Sequence, residues 1–104
     1  MELKRVVVTG LGAVTPVGNT PEETWKNLLE GKSGAAPITN FDTTNFKTKF
    51  ACEVKNFDPS QYIEPKESRK MDLYTQYSLA VATQAVEDAK LETDKLNLDK
   101  IGVI

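Results

Sequence analysis

The chain of 104 residues has no histidine and a single cysteine, Cys52, so neither an internal disulfide nor a Cys–His pair can be assembled from it. No metal site and no cofactor is expected. Charge of one sign is missing as well. The 13 Lys and Arg residues stand against 15 Asp and Glu, a net −2, which gives no broad electrostatic case for nucleic acid or a membrane surface. No apolar run approaches the roughly 18 residues needed to span a bilayer, and the run that follows MELKR is too short for a signal peptide. A soluble, cytoplasmic chain is the resulting expectation.

What is present is organised around Arg5 to Gly18, RVVVTGLGAVTPVG. The β-branched run Val6, Val7 and Val8 predicts a strand buried on both faces, ended by Gly10 and Gly12. The glycines suggest a dinucleotide-binding turn, but the third glycine of G-x-G-x-x-G is replaced by Thr15, and Pro16 follows where the phosphate-binding helix should already run. The fingerprint fails, and a tight chain reversal is the reading that remains.

A helix with well-marked ends comes next. Thr20 and Glu23 form a capping box, Pro21 takes the first helical position, and Gly31 stops the helix. Trp25, Leu28 and Leu29 share one apolar face, which predicts a core role for Trp25 rather than ligand stacking. From Lys32 to Ser68 the chain makes an excursion with little regular pattern, yet all four phenylalanines lie in it, which argues against disorder. Within it, Thr48 to Val54 alternates and predicts a short half-exposed strand, with Phe50, Cys52 and Val54 on the apolar side. That placement makes Cys52 a structural, unreactive thiol. Asp58 before Pro59 predicts a capped helical turn.

The second landmark is a helix from about Asp72 to Lys90. Gln76, Thr83, Glu87 and Lys90 form its one polar stripe, and apolar residues cover most of the rest, so burial on more than one side is expected. Beyond it, Ile101 to Ile104 reads as an apolar strand. Such a helix and strand need walls that these residues do not supply, so the chain is expected to be a piece of a larger fold.

RVVVTGLGAVTPVGN, PEETWKNLLEGKSG, FDTTNFKTKFACEVKNFDPSQYI and SRKMDLYTQYSLAVATQAVEDAKL together resemble the amino-terminal part of β-ketoacyl-acyl carrier protein synthases, the type II condensing enzymes of bacterial fatty acid synthesis above all. The resemblance runs from about Lys4 to Ile104. It implies an α/β fold of the thiolase-like, layered α-β-α-β-α kind, with residues 1–104 as the opening part of the first half and 32–68 as an aromatic-rich insertion. It also implies a homodimeric acyltransferase that condenses an acyl chain with malonyl carried on acyl carrier protein, using a cysteine at a buried helix start and two histidines. Cys52 does not sit in that nucleophile motif, so this stretch is expected to be inactive alone.

One functional element is implied within the chain. Lys66, Arg69 and Lys70, at the start of the long helix, match positions whose basic residues receive the acidic carrier protein in that family. A solvated charged turn, diluted by Glu64 and Glu67, is the plainer reading of the same residues. A non-catalytic relative, such as a chain-length partner subunit of polyketide synthesis, is the alternative to a condensing enzyme.

Overall fold

A computed structural model describes residues 1–104. Its regular elements are helix α1 (Pro21–Leu29), strand β1 (Ala35–Pro37), strand β2 (Phe50–Cys52), the short helix α2 (Pro65–Ser68) and the long helix α3 (Leu73–Ala89), with single 3-10 turns at Pro59–Gln61, Thr93–Lys95 and Leu98–Lys100. The radius of gyration is 17.7 Å, against about 13 Å for a self-contained domain of 100 residues. Only 5 residues are buried. The elements therefore lie around a small nucleus and leave wide apolar faces open.

Local chemistry fixes α1. The Glu23 amide donates to Thr20 Oγ1 at 3.1 Å, as a capping box requires. The Glu23 carboxylate, however, accepts from the Asn19 amide (3.2 Å), one residue before the cap. Gly31, at φ 71°, takes the left-handed conformation that ends the helix. Trp25 does not enter a core: it is 63 % exposed and lines an open groove with Leu11, Pro21 and Leu28. The expected apolar face exists, but no element of this chain is laid over it.

Two predicted strands are absent. Residues 6–8 and 101–104 form no strand and have no ladder partners, and Val6, Val8 and Val103 stand exposed. A β-branched run becomes a strand only where a neighbouring edge accepts its hydrogen bonds, and the two runs do not meet. The observed sheet is the antiparallel pair β1 and β2, in register Ala35 with Cys52, Ala36 with Ala51 and Pro37 with Phe50. Of the alternation predicted over Thr48 to Val54, only Phe50–Cys52 forms a strand, with the opposite face inward there, while Val54 beyond it is half-buried. Ala51 is half-buried, while Phe50 (66 % exposed) and Cys52 face outward. Period 2 defines two faces without saying which meets a partner, and Phe50 and Cys52 meet none here.

The nucleus forms where α3 meets the end of the excursion. Phe57 stacks on Tyr62 (6.4 Å between centroids) and meets Tyr77 edge-on at 4.9 Å, geometries that suit the ring quadrupole. Beside them Ile63 is buried and Ala80 is fully inaccessible. The inward stripe of α3 is Gln76, Ala80 and Gln84, so Gln76 is not part of a solvent-facing polar stripe as the pattern predicted. Backbone supplies the reason: the segments packed on α3 are loop and turn, whose amides and carbonyls need polar partners that the two amide side chains provide. Leu79, Ala82 and Val86 on another face stay open.

Candidate functional site

The chain brings its three predicted site residues together on one turn. Pro65 at the first helical position starts α2, and Arg69, still in right-handed helical geometry, closes it. Lys66, Arg69 and Lys70 are thus spaced i, i+3 and i+4, which places them on one face of a helical turn. All three side chains are exposed. Lys70 Nζ lies 3.3 Å from Glu67 Oε1, an open surface pair that contributes little and leaves the cation available. Lys66 and Arg69 make no ion pair.

The turn is anchored from below. Ser68 is buried, its hydroxyl donates to the Pro65 carbonyl at 3.1 Å, and Gln76 Nε2 donates to the Ser68 carbonyl at 2.9 Å and to that of Met71 at 3.3 Å. No sequence rule singled out Gln76. The available hint was a stripe of two amides around one small residue, Gln76, Ala80 and Gln84, at intervals of four.

Elsewhere, polar side chains hold loops rather than build a reaction centre. Lys55 Nζ donates to the carbonyls of Pro16, Gly34 and Glu53, tying the end of β2 to the 15–18 turn. Thr39 donates through both hydroxyl and amide to Glu53, which holds that carboxyl below its ordinary range. Thr44 lowers Asp42 and Ser60 lowers Asp58 in the same way. Cys52 stands on the outward face of β2 as a free, exposed thiol. No group of three or more Cys, Asp or Glu residues is placed to hold a metal, and no helix is long and apolar enough to cross a membrane.

The arrangement superimposes on a thiolase-like condensing fold. A solved structure titled "The ishigamide ketosynthase/chain length factor" matches with a TM-score of 0.77 and 42 % identity, over 88 % of this chain and 23 % of that one. The class is therefore the opening part of a ketosynthase α/β fold. Residues 3–104 match the family model "Beta-ketoacyl synthase, N-terminal domain", and the chain belongs to that family.

Similar proteins named 3-oxoacyl-[acyl-carrier-protein] synthase 2 include that of Vibrio cholerae serotype O1, 54 % identical over 99 % of this chain and 25 % of its own length. That of a Synechocystis strain is 47 % identical over 100 % of this chain and 25 % of its own. That of Staphylococcus aureus is 45 % identical over 96 % of this chain and 24 % of its own. The chain thus spans about a quarter of the length of the curated relatives it matches.

Proposed function

We propose that the full-length protein is a 3-oxoacyl-acyl carrier protein synthase, elongating acyl chains by decarboxylative condensation with malonyl-acyl carrier protein. The observation that carries this reading is identity of 45 to 54 % along nearly the whole chain to proteins of that name. The nucleophilic cysteine and the histidines that the family chemistry needs belong to the remainder of the enzyme, since this stretch has no histidine and its one thiol lies on an exposed strand. A low thiol pKa and preorganised donors are the means by which such a site forms the acyl thioester and stabilises the charge that develops after decarboxylation. A homodimer working in the cytoplasm completes the reading.

This chain's own part is to receive the carrier protein. Lys66, Arg69 and Lys70 present three positive groups on one exposed turn, a geometry that steers an acidic partner and raises its association rate. The test is the triple reversal Lys66→Glu, Arg69→Glu and Lys70→Glu in the full-length enzyme. At low salt, carrier-protein affinity should fall by about tenfold or more, since each charge pair contributes up to about 1 kcal/mol, and the difference should shrink as salt is added. Unchanged affinity removes the docking role. The likeness to a ketosynthase/chain length factor structure favours a second reading, a non-catalytic partner subunit. Absence of condensation by the purified full-length protein, with carrier binding retained, would select it.

A further inference from the structure

The basic turn is held locally by short-range bonds, among them the Ser68 amide to the Glu64 carbonyl, the Arg69 amide to that of Pro65 and the Lys70 amide to that of Glu67, all of them within the turn itself. Helix α2 has four residues, far too few to persist by propensity, and its cap residue Glu64 makes no side-chain capping bond. Its C-terminal carbonyls need partners from outside the helix. The Pro65 and Glu67 carbonyls accept the Arg69 and Lys70 amides, and Gln76 adds a bond to the Ser68 carbonyl at the end of α2 and another to that of Met71 just beyond it. Gln76 is 9 % exposed, and it is the one side chain from beyond residues 64–72 that hydrogen-bonds into that stretch. The two bonds go to the carbonyls of Ser68 and Met71, which bracket Arg69 and Lys70. Both acceptors are carbonyl oxygens, so the amide must present its nitrogen to them, and each of its hydrogens has a target.

We propose that Gln76 is the positioning residue of the carrier-protein docking turn: its buried amide fixes the backbone on either side of Arg69 and Lys70. This inference rests on the docking reading of the three basic residues. Mechanically, α3 is a 17-residue helix, and the amide ties to it a turn whose other side-chain bonds are all local. The turn's cations then meet the partner already arranged, so less ordering is lost on binding. Loss of the amide leaves all three charges present on a turn that no side chain ties to α3 any longer. It also leaves the Met71 carbonyl without its partner, whereas the Ser68 carbonyl keeps the Met71 amide at 3.2 Å.

The test is Gln76→Met, similar in length, neutral and unable to donate, in the full-length enzyme. KM for an acyl chain on the carrier protein should rise about three- to tenfold at unchanged kcat, the size expected from disordering one or two surface charge contacts. The rate of acyl transfer to the enzyme from a small acyl thioester, measured with no carrier protein present, should not move, because that half-reaction never touches the turn. Equal losses with both substrates, or an unchanged carrier KM, overturn the proposal. Should Gln76→Met fail to fold, Gln76→Asn, which keeps the amide but cannot reach Ser68, is judged by the same criteria. The triple charge reversal separates the two failures. If the reversal weakens carrier binding and Gln76→Met does not, the positioning role alone is wrong; if the reversal changes nothing, the docking reading falls and takes this inference with it.

Discussion

Gly12 lies directly against the backbone of Val81. A Cβ at this glycine would overlap the Val81 carbonyl oxygen and sit 2.8 Å from its carbon and 3.1 Å from the Ala85 nitrogen. Gly10 repeats the approach one turn on, 2.8 Å from the Ala89 Cβ. Neither glycine has a positive φ, so what they supply is space, not a rare backbone angle.

Gly12→Ala is accordingly expected to destabilise the full-length protein by about 1 to 3 kcal/mol, the usual cost of overpacking. Gly31→Ala is the contrasting control. Gly31 has open space around it but a φ of 71°, so its cost of about 1 to 2 kcal/mol is conformational. Urea midpoints distinguish the two, because Gly31→Asn should recover most of the loss while no larger residue rescues position 12. A Gly12→Ala variant as stable as the parent would show that the segment does not ride on α3 this closely.

The elements legible in the sequence are those whose instructions are local. Thr20, Pro21 and Gly31 write the two ends of α1 into a dozen residues, and α3 was predicted at 72–90 and runs 73–89. The strands at 6–8 and 101–104 were not realised because pairing depends on an edge far away in the chain. Cys52 and Trp25 failed for a related reason: a pattern identifies a face, and only the fold says what lies over it. The spacing of Lys66, Arg69 and Lys70 was legible as a charged turn. Its anchor was not, since Gln76 looks like any surface polar residue until the carbonyls of Ser68 and Met71 are seen beneath it.

Glu53 provides a pH-dependent clamp across the excursion. Its carboxylate accepts from the Thr39 hydroxyl at 2.7 Å and from the Thr39 amide at 3.0 Å, which lowers its pKa from the ordinary 4.5, with Asn40 and Lys55 adding to the effect. A carboxyl whose folded pKa is depressed adds stability above its unfolded value, and that contribution is lost as pH falls through the folded one. The hairpin loop should therefore loosen below pH 4.5. Thr39→Val removes the largest cause and should move the Glu53 titration upward, toward its ordinary value, in carbon-detected NMR of glutamate-labelled protein. A titration midpoint that stays put would show that the hydroxyl bond is not what holds the carboxyl ionised.

Gln84 joins three parts of the chain that nothing else brings to one point. Its Oε1 accepts from the Ala13 amide at 2.9 Å, while Nε2 donates to the Asn19 carbonyl at 2.7 Å and to the Tyr62 hydroxyl at 3.0 Å. The glycine segment, the loop before α1 and the aromatic nucleus all meet α3 at this one amide, beside the Leu11 amide bond to Asp88 and the Phe57–Tyr77 contact. Removing it by Gln84→Met preserves volume but strands partly buried polar groups, at a cost of about 1 to 3 kcal/mol for an unmet group. Gln84→Glu separates the ends of the amide. It keeps the acceptor for Ala13 but turns a carboxylate toward the Asn19 carbonyl, so it should destabilise comparably at neutral pH and recover as acid protonates the side chain. Chemical denaturation of the full-length variants between pH 5 and 8 reads both effects. If Gln84→Glu matched the parent at every pH, the bond donated to the Asn19 carbonyl would contribute nothing, and the loop before α1 would be held by its other bonds, Asn19 Nδ2 to the Lys55 carbonyl and the Asn19 amide to Glu23.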